Sequence, residues 1–122
     1  MKRALIVDDS RVSRNFLADV LKGAGFAVTT AVDGGDGLEK FFREPFDIVL
    51  TDLNMPVLDG YEFIRRIRET GQYDRVPIVM LSTERSEQDR ARGFAAGASL
   101  YLTKPPDPAR VIESVRLLTD GG

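Results

Sequence analysis

Five short apolar runs recur along the chain, Ala4–Val7, Ala27–Val32, Ile48–Leu50, Ile78–Leu81 and Leu100–Leu102, and a stretch with helical spacing follows each of them. Three of the runs are near-continuously apolar, as strands covered on both faces must be. Between them Val12, Phe16 and Val20, with neighbouring Leu17 and Leu21, form one helical stripe, and Leu38, Phe41 and Phe42 form a shorter one. Tyr61, Ile64 and Ile67 repeat the period, as do Val111, Val115 and Leu118. Helix starts are signalled by Ser10, by Asp59 with Glu62 three residues on, by Ser86 with Asp89 three residues on, and by Asp107 before Pro108. Gly23 and Gly25 mark the end of the first helix. Strict alternation of strand and helix predicts an α/β domain, a parallel sheet with helices on both faces and right-handed crossovers. At 122 residues, without internal repeat or linker apart from the terminal Gly121-Gly122, residues 1–122 are expected to form a single domain with no output domain attached.

Composition removes several kinds of chemistry. No cysteine is present, which excludes disulfides, Cys-based zinc sites and thiol nucleophiles. The absence of histidine excludes Ser-His triads, His-ligated metals and a phosphohistidine within this polypeptide. Seventeen basic against nineteen acidic residues leave a net charge of −2, which favours neither nucleic acid nor an anionic membrane. Only four apolar residues separate Met1-Lys2-Arg3 from Asp8, too few for a signal-peptide core or a membrane span, so a soluble, cytoplasmic chain is expected.

Ligands of open α/β sheets bind outside the carboxyl ends of the strands, where strand order reverses. The unusual polar residues fall at that edge: Asp8-Asp9 after the first run, Asp52 after the third, Ser82-Thr83 after the fourth and Thr103-Lys104 after the fifth. Three carboxylates at one mouth repel each other and attract a divalent cation, and oxygen ligands of this kind suit Mg²⁺. With its charge neutralised, a carboxylate such as Asp52 can attack a phosphoryl group to give an acyl phosphate. Lys104 and the Ser82 hydroxyl are positioned to hold the phosphoryl oxygens by charge and by hydrogen bond. Taken singly, Asp8 or Asp9 reads as a loop cap, Lys104 as a surface lysine and Ser82 as a turn residue. Their joint occurrence at one mouth is what points to chemistry.

In this order the residues Val7-Asp8-Asp9-Ser10, Asp52-Leu53-Asn54-Met55-Pro56 with Asp59-Gly60, Leu81-Ser82-Thr83, Gly97-Ala98 and Lys104-Pro105 form a specific set. Over nearly its whole length the chain resembles the receiver domain of bacterial two-component response regulators, the flavodoxin-like class that includes the chemotaxis regulator. The resemblance implies a three-layer (βα)5 fold with a five-stranded parallel sheet in the order 2-1-3-4-5. It implies a phosphorylation-activated switch of a two-component or phosphorelay system, with Asp52 accepting a phosphoryl group from a phosphohistidine on a sensor histidine kinase or phosphotransfer protein. Mg²⁺ would be bound by the Asp9 and Asp52 side chains and the Asn54 backbone carbonyl, with Asp8 in support. Ser82 and Lys104 would contact the phosphoryl oxygens, and the Lys104-Pro105 bond would be cis.

Tyr101 resembles the family's aromatic switch residue, turning inward as Ser82 moves toward the phosphate; a half-exposed aromatic on an edge strand is the alternative. The implied partner face comprises the fourth helix, fifth strand and fifth helix, about Ser86–Ala96, Leu100–Leu102 and Pro108–Leu118. The downstream protein target is unspecified, no direct nucleic-acid or membrane contact is implied, and the chain would be a monomer or a phosphorylation-linked dimer. It would not be an enzyme beyond accepting its own phosphoryl group and losing it slowly. Pro106 departs from the family, where a bulky aromatic is common, and Pro105, Pro106 and Pro108 stiffen the entry to the last helix. Arg65, Arg66 and Arg68 read as a solvated face of the third helix.

Rival readings carry their own signatures. A haloacid-dehalogenase-type phosphatase places a general-acid aspartate two residues after the nucleophile, where this chain has Asn54, a poor proton donor. A phosphorylation-independent docking module predicts a missing acid, hydroxyl or lysine, and all are present. A flavin site needs a phosphate-cradling loop where Asp8-Asp9 would repel an anion. Asn54 and Glu84 lie two positions beyond Asp52 and Ser82 and would flank an attacking water. Replacing either is expected to change the dephosphorylation rate more than Mg²⁺ affinity; measuring both quantities checks this, and affinity changes without rate changes would refute it.

Overall fold

The computed structural model describes residues 1–120, so the Gly121-Gly122 pair considered as a possible linker lies outside the described residues. Its strands are β1 (Arg3–Val7), β2 (Ala27–Ala31), β3 (Ile48–Asp52), β4 (Ile78–Ser82) and β5 (Leu100–Thr103), all parallel, in the order β2-β1-β3-β4-β5. Helices α1 (Arg11–Gly23), α2 (Gly34–Arg43), α3 (Gly60–Glu69), α4 (Glu87–Ala96) and α5 (Pro108–Asp120) alternate with them. This is the flavodoxin-like (βα)5 arrangement expected from the sequence.

Because side chains alternate across a strand, each strand feeds two cores. Leu5, Val7, Val49, Ile78 and Met80 pack with Phe41 of α2, Phe63, Ile64 and Ile67 of α3, and Ala96 of α4. Ala4, Ile6, Leu50, Val79 and Leu81 pack on the other face with Leu17 and Leu21 of α1 and Val111 and Val115 of α5. The caps are those the sequence announces: the side chains of Ser10, Asp59 and Ser86 accept from the backbone N–H groups of Ser13, Glu62 and Asp89.

Several side chains lie elsewhere than their spacing suggests. In α1 the buried residues are Leu17, Ala18 and Leu21, while Val12 is 80% and Phe16 39% exposed. They share the i, i+4 row of Val20, which lies beside the buried row of Leu17 and Leu21 rather than on it. Phe42 of α2 is half-exposed, since its neighbour Phe41 fills the core. Arg65 and Arg66 stay in solvent and pair with Glu62, as expected of a solvated face. Arg68 does not. Its guanidinium turns into the gap between α3 and α4, where Nε and Nη2 donate to the Gly97 carbonyl (3.1 and 2.9 Å) and Nη1 donates to that of Tyr73 (2.5 Å). Among the described residues no helix is long and apolar enough to cross a membrane.

Strands β3, β4 and β5 also outrun the apolar stretches, taking in Thr51, Asp52, Ser82 and Thr103. Ladder bonds belong to the backbone and are indifferent to side-chain polarity. They continue past the strands themselves, from Leu53 N to Leu81 O (3.1 Å) and from Lys104 N to Ser82 O (2.8 Å). The start of α3 lies hard against the end of β3: the Gly60 N–H donates to Leu53 O (2.8 Å), and a Cβ on Gly60 would stand 2.5 Å from the Asp52 carbonyl oxygen. Backbone cannot give way as a side chain can, so Gly60→Ala is expected to lower the unfolding free energy by about 3 kcal/mol, read as a lower urea midpoint at unchanged m-value. A midpoint equal to wild type would refute that close approach.

Candidate functional site

Parallel register delivers the polar residues to one edge. Val7 pairs with Thr51, Asp52 with Leu81, and Ser82 with Thr103, so the carboxyl ends of β1, β3, β4 and β5 lie side by side. Asp8 and Lys104 each follow a strand's last residue, while Asp52 and Ser82 are themselves last residues. Chain order reverses at β1, which has β2 on one side and β3 on the other. One carboxylate oxygen from each of Asp8, Asp9 and Asp52 lies within 4.8 Å of the other two.

Each acid sits in different surroundings. Asp8 is 1% exposed and has every oxygen held: Oδ1 accepts from Ser10 N (2.9 Å), and Oδ2 from the Ser13 hydroxyl (2.6 Å) and Lys104 Nζ (3.0 Å). Its carbonyl accepts from Arg14 Nη1 (2.8 Å). Asp9 is exposed, with no hydrogen bond or ion pair among the described residues. Asp52 is 8% exposed, and its Oδ1 lies 3.0 Å from Lys104 Nζ. Lys104 therefore bridges Asp8 and Asp52. Ser13 and Arg14 were not legible as site residues, because nothing marks a first-turn serine or arginine of α1 as facing the pocket.

The electrostatics follow from the count of charges. Burial pushes the Asp52 carboxyl up, the Lys104 ammonium pulls it back, and Asp8 and Asp9 add to the rise, so it ends raised. Burial works to lower Lys104, yet its bonds to Asp8 and Asp52 outweigh burial and leave it raised. A paired carboxylate would ordinarily be depressed. Here Lys104 serves both Asp8 and Asp52 and the Arg14 guanidinium reaches only the Asp8 carbonyl, so three acids outnumber the nearby cations. A divalent cation would offset that excess. The donor set consists of hard oxygens, and their 4.8 Å spread is little more than the roughly 4 Å between opposite ligands of an octahedral Mg²⁺. The residues fit such an ion.

Around this pocket Ser82 is fully buried, and its Oγ accepts from Glu84 N (3.0 Å). Asn54 and Glu84 are exposed in the loops after β3 and β4. Tyr101 is 4% exposed despite its edge strand, with its hydroxyl donating to the Glu84 carbonyl (2.9 Å). The half-exposed alternative is therefore set aside: α4 covers that strand. The Lys104–Pro105 peptide bond is cis.

This sheet order, with an acid pocket at its strand ends, defines a flavodoxin-like domain with a candidate cation site. The model of the response regulator receiver domain matches residues 4–116. Protein PilH of Pseudomonas aeruginosa is 34% identical over 121 residues, covering 99% of this chain and 100% of PilH. The gliding motility regulatory protein of Myxococcus xanthus is 39% identical over 102 residues, which are 84% of this chain but 13% of that larger protein. The solved structure of Vibrio cholerae chemotaxis protein CheY4 superposes with a TM-score of 0.91 at 38% identity, covering 97% of this chain and 98% of CheY4. The chain belongs to the response regulator receiver domain family, whose members are phosphorylation-dependent signalling switches of two-component systems rather than classical enzymes.

The raised Asp52 pKa has a consequence for stability. Ionising Asp52 costs the folded form; the cost is full above the raised pKa, shrinks as pH falls through it, and vanishes below the ordinary carboxylate value of about 4. With chelator present, Asp52→Asn is expected to be more stable than wild type at about pH 7, with the advantage fading toward about pH 4. Urea unfolding across that range tests this, and a gain that grows as pH falls would contradict it.

Proposed function

We propose that Asp52 is the phosphoacceptor of this receiver domain, fed by the phosphohistidine of a sensor histidine kinase or phosphotransfer protein. The observation that carries the reading is the buried Asp52 carboxylate held 3.0 Å from Lys104 beside two further acids. In the reaction an Asp52 oxygen attacks phosphorus while the donor's N–P bond breaks, leaving an acyl phosphate here and a neutral histidine on the donor. Lys104 is poised to follow one phosphoryl oxygen, releasing its contact with the Asp52 oxygen that becomes bonded. Ser82, now accepting from Glu84 N, has a hydroxyl proton free to donate to another.

Asp9, Asp52 and the Asn54 carbonyl would hold Mg²⁺, with Asp8 acting in support because its oxygens are engaged by Ser10, Ser13 and Lys104. Bound there, the ion would neutralise the pocket and stabilise charge on the transferring oxygens. Movement of Ser82 toward the phosphoryl group would pull the β4–α4 loop, and Tyr101, bonded to Glu84 in that loop, would follow. The face of α4, β5 and α5 is then the surface a downstream protein reads. Asn54 and Glu84 would tune loss of the phosphoryl group by water, so the chain turns over no external substrate. We assign residues 1–122 to one receiver unit acting in the cytoplasm.

Incubation with Mg²⁺ and acetyl phosphate is expected to add one labile phosphoryl mass to wild type, none to Asp52→Asn, and to slow at least about 100-fold in Lys104→Met. Intact mass spectrometry reads all three. Equal labelling of Asp52→Asn would overturn the assignment.

A further inference from the structure

Helix α4 is held in an unusual way. Of Glu87–Ala96 only Gly93 and Ala96 are buried, and Phe94 is half-exposed, so the helix brings little apolar surface to the core. Its place is set by polar ties instead. The Tyr101 hydroxyl donates to the Glu84 carbonyl just ahead of the helix, and Arg68 holds the Gly97 carbonyl just after it. Between them the Tyr61 hydroxyl donates to the Asp89 carbonyl in the first turn of α4 (3.1 Å). The Arg92 guanidinium, one turn further along, lies over the Tyr61 ring with its carbon 4.3 Å from the centroid. Arg90 lies over the Tyr101 ring at 5.5 Å. Two tyrosines thus grip one helix, each bonded through its hydroxyl to a main-chain carbonyl and capped by an arginine of α4.

Tyr61 is the second residue of α3, and the first, Gly60, is packed against the Asp52 carbonyl and bonded to Leu53. Through β3 and α3 the acid pocket therefore reaches α4 by a route that does not pass through Ser82 or β5. We infer that Tyr61 is a second positioning residue of the switch, fixing α4 from the α3 side as Tyr101 fixes it from β5. Burial pushes the Tyr61 hydroxyl up, helped by the neighbouring Tyr101, so it stays a donor at neutral pH. A tyrosine buried only for packing needs no more than some acceptor for its hydroxyl. Tyr61 takes both its acceptor and its stacked cation from one helix, so the helix cannot shift without losing both.

Hydrogen exchange followed by mass spectrometry tests this on the whole chain. Tyr61→Phe keeps the ring and the Arg92 contact but loses the bond to Asp89. In the unphosphorylated protein its amides over residues 87–96 are expected to exchange about fivefold faster, with those of β1 and β3 unchanged. Arg92→Gln leaves Tyr61 intact and is expected to give about a threefold increase over the same amides. Exchange unaltered over α4 in both variants, or raised by one factor throughout the chain, would overturn the inference.

A second arm rests on the assignment of Asp52. With Mg²⁺ and acetyl phosphate, the phosphorylation-dependent change in α4 exchange is expected to be smaller in Tyr61→Phe than in wild type, and equal changes would refute a part in switching. Absence of any phosphoryl mass in wild type would sink the Asp52 assignment alone, with the unphosphorylated comparison still deciding for or against Tyr61.

Discussion

One ammonium among three carboxylates is the constraint around which this molecule is arranged. Lys104 bridges Asp8 and Asp52 yet does not neutralise three acids, so the folded chain keeps an excess of negative charge at this edge that an added cation would offset. Burial raises the Asp52 carboxyl, with Asp8 and Asp9 adding to the rise against the pull of Lys104, as is typical of groups at functional sites. Asp8 shows how the protein tolerates the arrangement. It is buried almost completely, and three donors from α1 and β5's end secure it, which turns a costly charge into a fixed wall of the site.

The sheet makes that crowding possible. Parallel strands in register end together, so residues far apart in the chain meet without any loop having to be long or ordered for the purpose. Apolar side chains on both faces give the strands no freedom to slip, since a one-residue shift would exchange the two cores. The close approach of Gly60 to Asp52 then ties α3 to the same edge.

Rigidity is unevenly distributed around this edge. Helix α3 buries Tyr61, Phe63, Ile64 and Ile67, whereas α4 buries little beyond a glycine and an alanine. Hydrogen bonds to carbonyls and cations over aromatic rings can be broken singly at modest cost, unlike a packed core. The element held by exchangeable ties is the one beside Ser82 and Tyr101, and the elements held by packing carry the acids. The pocket thus has packed elements on one side and, at α4, an element held chiefly by polar ties on the other.

Element types, their order, the caps of α1, α3 and α4, and the residues Asp8, Asp9, Asp52, Ser82 and Lys104 were all legible in the chain itself, because apolar periodicity and strand-end position are local properties. Strand ends were less so: Asp52 and Ser82 belong to the ladder although polar, since backbone pairing ignores the side chain. What α1 buries was misread at Val12 and Phe16, for two neighbouring apolar rows run along the helix and only that of Leu17 and Leu21 faces the sheet. Arg68 looked like its exposed neighbours until the gap between α3 and α4 supplied two carbonyls for it. Tyr61 was legible as a core-facing position of its helix but not as a partner of α4, and Ser13 and Arg92 carried no signal at all. Sequence alone determined the alternating α/β class and the strand-end acids, through local patterns along the chain, and the strand order through its family resemblance; tertiary structure decided who holds Asp8 and who holds α4, because those partners meet only across elements that folding brings together.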